Sequence, residues 1–558
     1  MRLNILKIFL SITIFPALAF SFVDMKNANF ADSWIDYKSN GTGYQLKIQR
    51  TYNSRSTFDG IFGFGWCSDY ETKLEVLPDS SLKVTECGGG LEVVYSNGKE
   101  LKGSNLNRYI AKLVGLSKKV NPRLKKNYLK RLEKDLKENQ FLREALAKKL
   151  GVKGKVDKNT TFFARGRGGE KISYSGSHYK RMLADGTYQK FNAKGKLVSV
   201  YDRNSNFLSL VYTKGNLTQV SDNSGRRLDF KYTKSNKVKE IRTPEAKTMT
   251  YSYKSHDLVA AKNAWKMAYT YKYDSLHNLT QVVFPDKSSK KIQYNKDKDL
   301  VVGFKDRNDC KESYVYKGSK ENPRNHYWSI VTKKCGNKVT NKSKYEFWHR
   351  KKSDGTGKYL YRVLSDNNGD TTDVVYHDIF GKPLSVKENK RRTWFKYNRY
   401  GLMSEKRTPV ERNFYEYDKV CKKISMTKKL EFRDSKNIKK VTYKESTKFA
   451  YDKPKCNLSF AQNSKGTKVK VGYDRYGRIN KLIDQSQKYV QLTYDKVFGK
   501  PKTIRRPGLG SINVVYDAQG ELKDVKSAEG AEVAAQVATV FNSLLEVVAP
   551  ATSGGLSI

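Results

Sequence analysis

Tyrosine returns along this chain at a nearly fixed interval. Tyr212, Tyr232, Tyr253, Tyr273 and Tyr294 follow one another at a spacing of about 21 residues, and Tyr451, Tyr473, Tyr494 and Tyr516 keep nearly the same step. Each closes a short alternating segment, as in Leu208, Leu210 and Tyr212, or Met249, Tyr251 and Tyr253. A period of two puts these side chains on one strand face and the intervening Ser, Thr, Asp and Lys on the other. A polar turn and a second apolar pair follow: Gly215-Asn216-Leu217 with Val220, Asn236-Lys237-Val238 with Ile241, Asn278-Leu279 with Val282, and Gly477-Arg478-Ile479 with Leu482. Asn and Gly accept the left-handed backbone of tight hairpins, so each period reads as strand, turn, strand, turn.

A single hairpin of this size is marginal in water and must stack on its neighbours. The stretch from Glu170 to Lys526 is therefore expected to form one antiparallel ribbon of roughly 16 or 17 units. The fold class is all-β: a long antiparallel ribbon spiralling into a solenoid or barrel-like shell, with tyrosines on the enclosed side and lysines toward solvent. Such a pattern overrides the several separate domains that 558 residues would otherwise allow.

Two stretches break the strand grammar. From Asn121 to Leu150, Leu124, Leu129, Leu132, Leu136, Phe141, Leu142 and Leu146 form a helical stripe. Between Lys118 and Leu150 there are twelve basic residues against four acidic ones, and Lys125, Lys126, Lys130, Arg131 and Lys134 are the candidate anion-binding group. The insertion reads first as a solvated helix or hairpin lying on the barrel, and second as a basic docking element for an anionic surface. The second stretch, Ala528 to Val548, is apolar with only Glu529, Glu532 and Glu546 charged. It reads as a cap or plug over the ribbon's open end, with a partner-binding or membrane-associating helix as alternatives; its acidic polar positions weaken the membrane reading.

Arg2 and Lys7 before the apolar run Ile8 to Phe15, then Pro16 and Ala17-Leu18-Ala19, have the layout of a secretory signal. Nowhere else does an uncharged apolar run reach membrane-spanning length, so no transmembrane segment is expected after residue 19. Export permits disulfides, and order along the chain pairs Cys67 with Cys87, Cys310 with Cys335 and Cys421 with Cys456. Fifteen pairings of six cysteines exist, and a reduced, buried set is the other reading.

Catalytic patterns are missing from the sequence. His178, His256, His277, His326, His349 and His377 form no metal-ligand spacing, and there is no nucleophile elbow, kinase set or dinucleotide fingerprint. Asp202, Asp274, Asp418, Asp452, Asp474, Asp495 and Asp517 recur at one position of the unit, which argues for turn hydrogen bonding. Gly60, Gly63 and Gly65 allow a bend that sets Phe62, Phe64 and Trp66 against a core, without a phosphate-binding pattern. No enzyme, metal or cofactor is expected.

The dipeptides Tyr273-Asp274, Tyr473-Asp474, Tyr494-Asp495 and Tyr516-Asp517, each ahead of a glycine- or asparagine-bearing turn, resemble the repeats of RHS/YD-repeat proteins. The run from Gly43 through Arg55, then Phe62-Gly63-Phe64-Gly65-Trp66, resembles the module that precedes many RHS repeats, and the likeness continues to about residue 95. The resemblance implies a YD-repeat solenoid, and larger relatives form hollow shells around a C-terminal toxin that some release with acids near a D-P-x-G-L motif. Here Arg506-Pro507-Gly508-Leu509-Gly510 lacks the leading Asp and only a short stretch follows Asp517, so neither self-cleavage nor an internal toxin is expected.

The expected organisation is a signal peptide at 1–19, an RHS-associated β module at 20–108, a basic helical insertion at 109–160, the YD-repeat ribbon at 161–526 and a helical cap or plug at 527–558. With 108 Lys and Arg against 56 Asp and Glu, the net charge of +52 draws anionic partners. For an exported bacterial chain, periplasmic, surface-bound or extracellular, these are an anionic glycan, lipid headgroups or a secreted or envelope protein, with peripheral membrane contact allowed and nucleic acid less favoured. The expected function is a non-enzymatic scaffold binding such a partner through a basic outer surface; the alternative is an RHS-like shell protecting a small cargo or its own C-terminal segment.

Overall fold

The computed structural model describes residues 22–552 except 40–43, 98–102, 165–166, 168–169, 184–186, 203–205, 354–356, 422, 434–440, 453–456, 475–477, 496–500 and 517–521. The signal segment, Cys456 and Asp517 lie outside the described residues. From Thr161–Ala164 to Leu522–Lys526 every strand pairs antiparallel with the next in sequence, giving one large sheet. The ladder also reaches back into the N-terminal segment through Glu92–Ser96, Leu82–Thr85 and Lys73–Val76. Strands lengthen to 10, 14 and 10 residues at His326–Cys335, Lys338–Lys351 and Lys358–Asn367, well beyond the usual short repeat strand.

Each repeat tyrosine sits at a β-bulge. Val211 faces Gln219 but Tyr212 faces Leu217, leaving Thr218 as the extra residue. The same shift recurs at Tyr232, Tyr253, Tyr273, Tyr294, Tyr451, Tyr473, Tyr494 and Tyr516. A bulge interrupts the ladder and leaves a backbone group short of its partner. The next tyrosine supplies it: the hydroxyl of Tyr232 donates to Leu217 O at 2.8 Å, that of Tyr253 to Val238 O at 2.8 Å and that of Tyr273 to Leu258 O at 2.9 Å. Tyr473 and Tyr516 repeat the bond to Leu458 O at 2.8 Å and Pro501 O at 2.7 Å. Every acceptor is the residue facing the preceding tyrosine across its bulge, so the units are stitched in series. Burial pushes the Tyr494 and Tyr516 hydroxyls up to about 12, which keeps them protonated donors.

The aspartates after the tyrosines hold the turns, as their recurrence predicted. Asp274 accepts from the amides of Leu276 and Asn278, both at 2.9 Å, and Asp474 accepts from the Arg478 amide at 3.0 Å and its Nε at 2.7 Å. The left-handed residue of the Asp274 turn is His277, at φ 67°, rather than Asn278, whose amide group instead bonds the Asp274 carboxylate.

One face of the ribbon carries the apolar residues and is covered twice. At the start it is covered by a small sheet of Phe22–Asp24, Asn29–Lys38, Lys47–Asn53 and Trp66–Cys67, in a cluster running from Val23 to Val331. At the end it is covered by the last helix, in a second cluster from Phe449 to Val548. The helical insertion is three helices, α1 (Gly103–Val120), α2 (Lys126–Glu138) and α3 (Gln140–Lys149), around Leu106, Ile110, Leu113, Leu136 and Ala147. The continuous stripe expected through residue 150 breaks at Asn139, whose side chain caps α3 by accepting from Leu142 N; Phe141 is consequently 73 % exposed. Disulfides join Cys67 to Cys87 and Cys310 to Cys335, and Cys421 is also disulfide-bonded.

Replacing Tyr253 with Phe removes one stitch and leaves the buried Val238 carbonyl short of a donor. The expected loss is about 1–3 kcal/mol, read as a lower thermal midpoint, against a small effect of Tyr269→Phe, which lies outside the series; equal midpoints for the two variants would count against the stitch.

Candidate functional site

The apolar face changes character along the ribbon. In the covered sections its positions hold residues such as Val220, Leu228, Ile241, Met249, Val469 and Leu482, all buried. Followed strand by strand through the register, the same face runs from buried Phe347 to Val363, Val374, Val386 and Thr393. Beside that row Ser365 faces Thr372, and farther on Asn413 faces both Lys406 and Lys429 and Thr427 faces Tyr415 and Thr447. Hydroxyls, amides and charges are thus mixed on this face with aliphatic and aromatic side chains such as Val374, Val386, Phe395 and Tyr415. In the seven strands from Lys358 to Phe432 only Phe432 is buried. Glu411 and Glu431 both reach Lys429, at 3.3 and 2.6 Å, and hydrogen bonds from Asn413 and Lys429 hold the Glu411 carboxyl below its ordinary range despite partial burial. This stretch, lying between two apolar seals, is a surface suited to water or a polar occupant.

The N-terminal seal docks on the bulges themselves. Val238 N donates to Ile61 O at 2.8 Å, Leu279 N to the Tyr52 hydroxyl at 2.9 Å and Val301 N to Ala28 O at 3.3 Å. Each is a bulge residue whose carbonyl a tyrosine also takes, so module and stitch satisfy the two orphaned groups together. Arg50, fully buried, pairs with Asp36 through two hydrogen bonds, and the ribbon closes the pair: Tyr251 donates to Asp36 at 2.8 Å and Arg50 donates to the Tyr271 hydroxyl at 3.1 Å. The Trp66 ring lies 5.0 Å from the Arg50 guanidinium, and Trp66 Nε1 donates to Tyr273 at 2.9 Å. Desolvating two charges is expensive, so this pair fixes which face meets which more than it adds stability. Phe62 and Trp66 are core residues, as the glycine-rich bend predicted, while Phe64 is half-buried beside His277. The bend requires glycine: φ is 106° at Gly63 and 75° at Gly65.

The C-terminal seal, α4 (Ala531–Thr552), buries Ala534, Val537, Ala538, Phe541, Leu544, Val547 and Val548 on the ribbon. Glu532, Gln536, Thr539, Ser543 and Glu546 face outward. By length and composition Ala531–Ala551 suffices to cross a membrane, although Glu532 and Glu546 interrupt its apolar run. Here its apolar side is already occupied by the sheet.

Lys125, Lys126, Lys130, Arg131 and Lys134 are all exposed on or just ahead of α2, with Lys126, Lys130 and Lys134 one turn apart. The far end of α2 meets the ribbon through Glu138 and Lys351 at 2.7 Å. The repeat tyrosines are brought together as a row, the basic residues as a separate patch. Four histidines each meet one carboxylate, His256 with Asp59, His277 with Asp257, His326 with Glu346 and His377 with Asp378. Among the described residues no group of three or more His, Cys, Asp or Glu is placed to hold a metal ion. Sequence reasoning missed the polar positions of this face, which lie between tyrosines, Tyr376, Tyr397 and Tyr417, that keep the period and the bulge.

Residues 21–100 match the family model described as a domain of unknown function, DUF6531, and residues 175–307 match that of the Teneurin YD-shell. Among solved structures the fold is similar to TcdB2-TccC3 without its hypervariable C-terminal region, at 11 % identity over 95 % of this chain and 32 % of that one, with a TM-score of 0.26. It is also similar to the Photorhabdus luminescens Tc holotoxin pore, at 11 % identity over 90 % of this chain and 29 % of that one and a TM-score of 0.22. A porin-like protein from Bacteroides uniformis follows at 10 % identity over 44 % and 92 % of the two chains, with a TM-score of 0.15. This chain spans about a third of the length of the first of these, at 32 %. No curated protein matches it.

The seam beneath the module contains one carboxyl with a distinct titration. Removal from water pushes Glu71 up to about 8, against hydrogen bonds from the Ile61 and Ser68 amides that favour its charged form. The folded chain therefore binds a proton that the unfolded chain has released, and stability contributed below about 4.5 is lost as pH rises toward about 8. Glu71→Gln keeps an acceptor oxygen without the charge; its thermal midpoint relative to the parent should rise across that window, and a difference independent of pH would refute the assignment.

Proposed function

We propose, for a chain of RHS/YD-repeat architecture with a DUF6531 module ahead of its YD-shell, a non-catalytic scaffold that shelters material on the inner side of its ribbon. The observation that carries this reading is the division of one continuous face into two ends sealed by apolar packing and a middle where polar side chains enter among aliphatic and aromatic ones and only Phe432 is buried. A solid structural ribbon would need apolar residues along the whole face, because half-buried Ser, Thr, Asn and Lys gain little from packing. Curvature of the strand ladder closes that side into a barrel-like shell, and the occupant is the chain's own C-terminal segment or a small polar cargo. The chain is exported from a bacterial cell, in keeping with its disulfides, to the periplasm, surface or medium.

A second reading is supported by the charge. The outer surface, α2 included, holds far more lysine and arginine than the acids can neutralise, and the resulting field favours an anionic partner in the envelope, such as a glycan, a lipid headgroup or an acidic protein.

Sheltering of the C-terminal segment is tested by undocking α4. In the parent a glutamate-specific protease should cut slowly at Glu532 and Glu546 although both side chains are exposed. Val537→Asp with Phe541→Asp places charges in an apolar seam and should make both sites rapidly cleavable while the N-terminal half stays resistant. Unchanged cleavage would overturn the sheltering of that segment.

A further inference from the structure

Residues directly opposite one another in antiparallel strands share a face. Lys291 lies opposite Lys305, Lys305 opposite Lys311, and Lys311 opposite Lys334. Four lysines thus stand in one straight row across Ser289–Tyr294, Val301–Lys305, Lys311–Gly318 and His326–Cys335. Their strand neighbours Ile292 and Phe304 are buried on the covered side, so the row is on the outer face. At a strand spacing of about 4.8 Å the row is roughly 14 Å long.

Like charges directly opposite each other destabilise a sheet, and here three such oppositions follow in succession. Lys305 has a carboxylate partner, Asp309 at 2.7 Å, whose charge also acts on Lys311 and Lys291, but Lys291, Lys311 and Lys334 are within ion-pair distance of no carboxylate among the described residues. One residue beyond the Lys311 and Lys334 pair, Cys310 and Cys335 are joined covalently with their Cα atoms 4.3 Å apart. The disulfide holds the two strands together where the ammonium groups push them apart. Beside the lysines, Gly303, Ser313 and Thr332 form the next row on the same face. The row begins with Gln293, whose side chain lies over Gly303, and only Ser313 and Thr332 leave the stems of Lys311 and Lys334 uncrowded.

We propose that this row is a docking track for a linear acidic polysaccharide. A repulsive, covalently braced ladder gains stability when a regularly charged polymer lies along it, and the strand spacing is comparable to the length of one sugar residue. Neither the lysine row nor the small-residue row contains an aromatic ring on which a nucleobase would stack, which disfavours single-stranded nucleic acid. The disulfide places the track in an oxidising compartment, where acidic glycans are found. The proposal rests on the outer-surface reading above and is independent of what the ribbon shelters.

The test uses the full-length oxidised chain and fluorescently labelled polygalacturonate, with neutral dextran, an oligothymidylate and phosphatidylglycerol vesicles as comparators. Lys291→Ser with Lys311→Ser is set against Lys126→Ser with Lys130→Ser, which removes the same charge from α2. Binding to polygalacturonate should weaken at least about tenfold in the first pair, change little in the second, and fall steeply with added salt. Loss confined to the α2 pair, or equal loss in both, would overturn the track while leaving an outer anion-binding surface intact. Failure of every protein to bind polygalacturonate would overturn both, and tighter binding to the oligonucleotide or the vesicles would overturn the glycan assignment.

Discussion

The structure depends on what happens at a bulge. A short hairpin repeat has to bend and twist to wind on itself, and inserting one residue per unit achieves this at the cost of a broken ladder. The hydroxyl of the following tyrosine takes the carbonyl left behind, so each unit completes the one before it. Tyrosine alone combines a ring large enough to fill the space between strands with a donor that remains protonated when buried. The repeat length is therefore the distance from one bulge to the next measured along the strand, turn, strand path.

The same bulges govern how the ends are sealed. Near the start, amides turned off the ladder at Val238, Leu279 and Val301 are taken by the N-terminal module. The Arg50 and Asp36 pair, enclosed by Tyr251 and Tyr271, joins that docking together with the rings of Trp34, Phe62 and Trp66 packed on the same two tyrosines. At the other end α4 does the equivalent work with apolar area. Between the seals the ribbon keeps its ladder and its tyrosine bulges while polar residues enter its inner face.

The repeat, the all-β ribbon and the turn role of the aspartates were legible because a period of two nested inside a longer tyrosine period has no other folded solution. The bulge stitch was not, since it joins one unit to the next through space and leaves no mark beyond the tyrosine itself. The buried Arg50 was invisible for a related reason: its partners Tyr251 and Tyr271 belong to repeats far along the chain. In the insertion the leucine stripe marked helix without its ends, because periodicity cannot register a helix that stops at Asn139 and restarts at Gln140. The lysine row was hidden too, as Lys291, Lys305, Lys311 and Lys334 are irregularly spaced in sequence and only strand register aligns them.

The central claim is that the polar middle of the ribbon faces an enclosed space. Thr393→Cys and Thr427→Cys place thiols on that face and Lys396→Cys on the opposite one, among cysteines that are otherwise disulfide-bonded in the described residues. Labelling rates with a small maleimide and with one carrying a long polyethylene glycol chain decide the matter. A shell requires the small reagent to reach all three positions and the large one only position 396; modification of all three by the large reagent would mean the face is open to bulk solvent and encloses nothing.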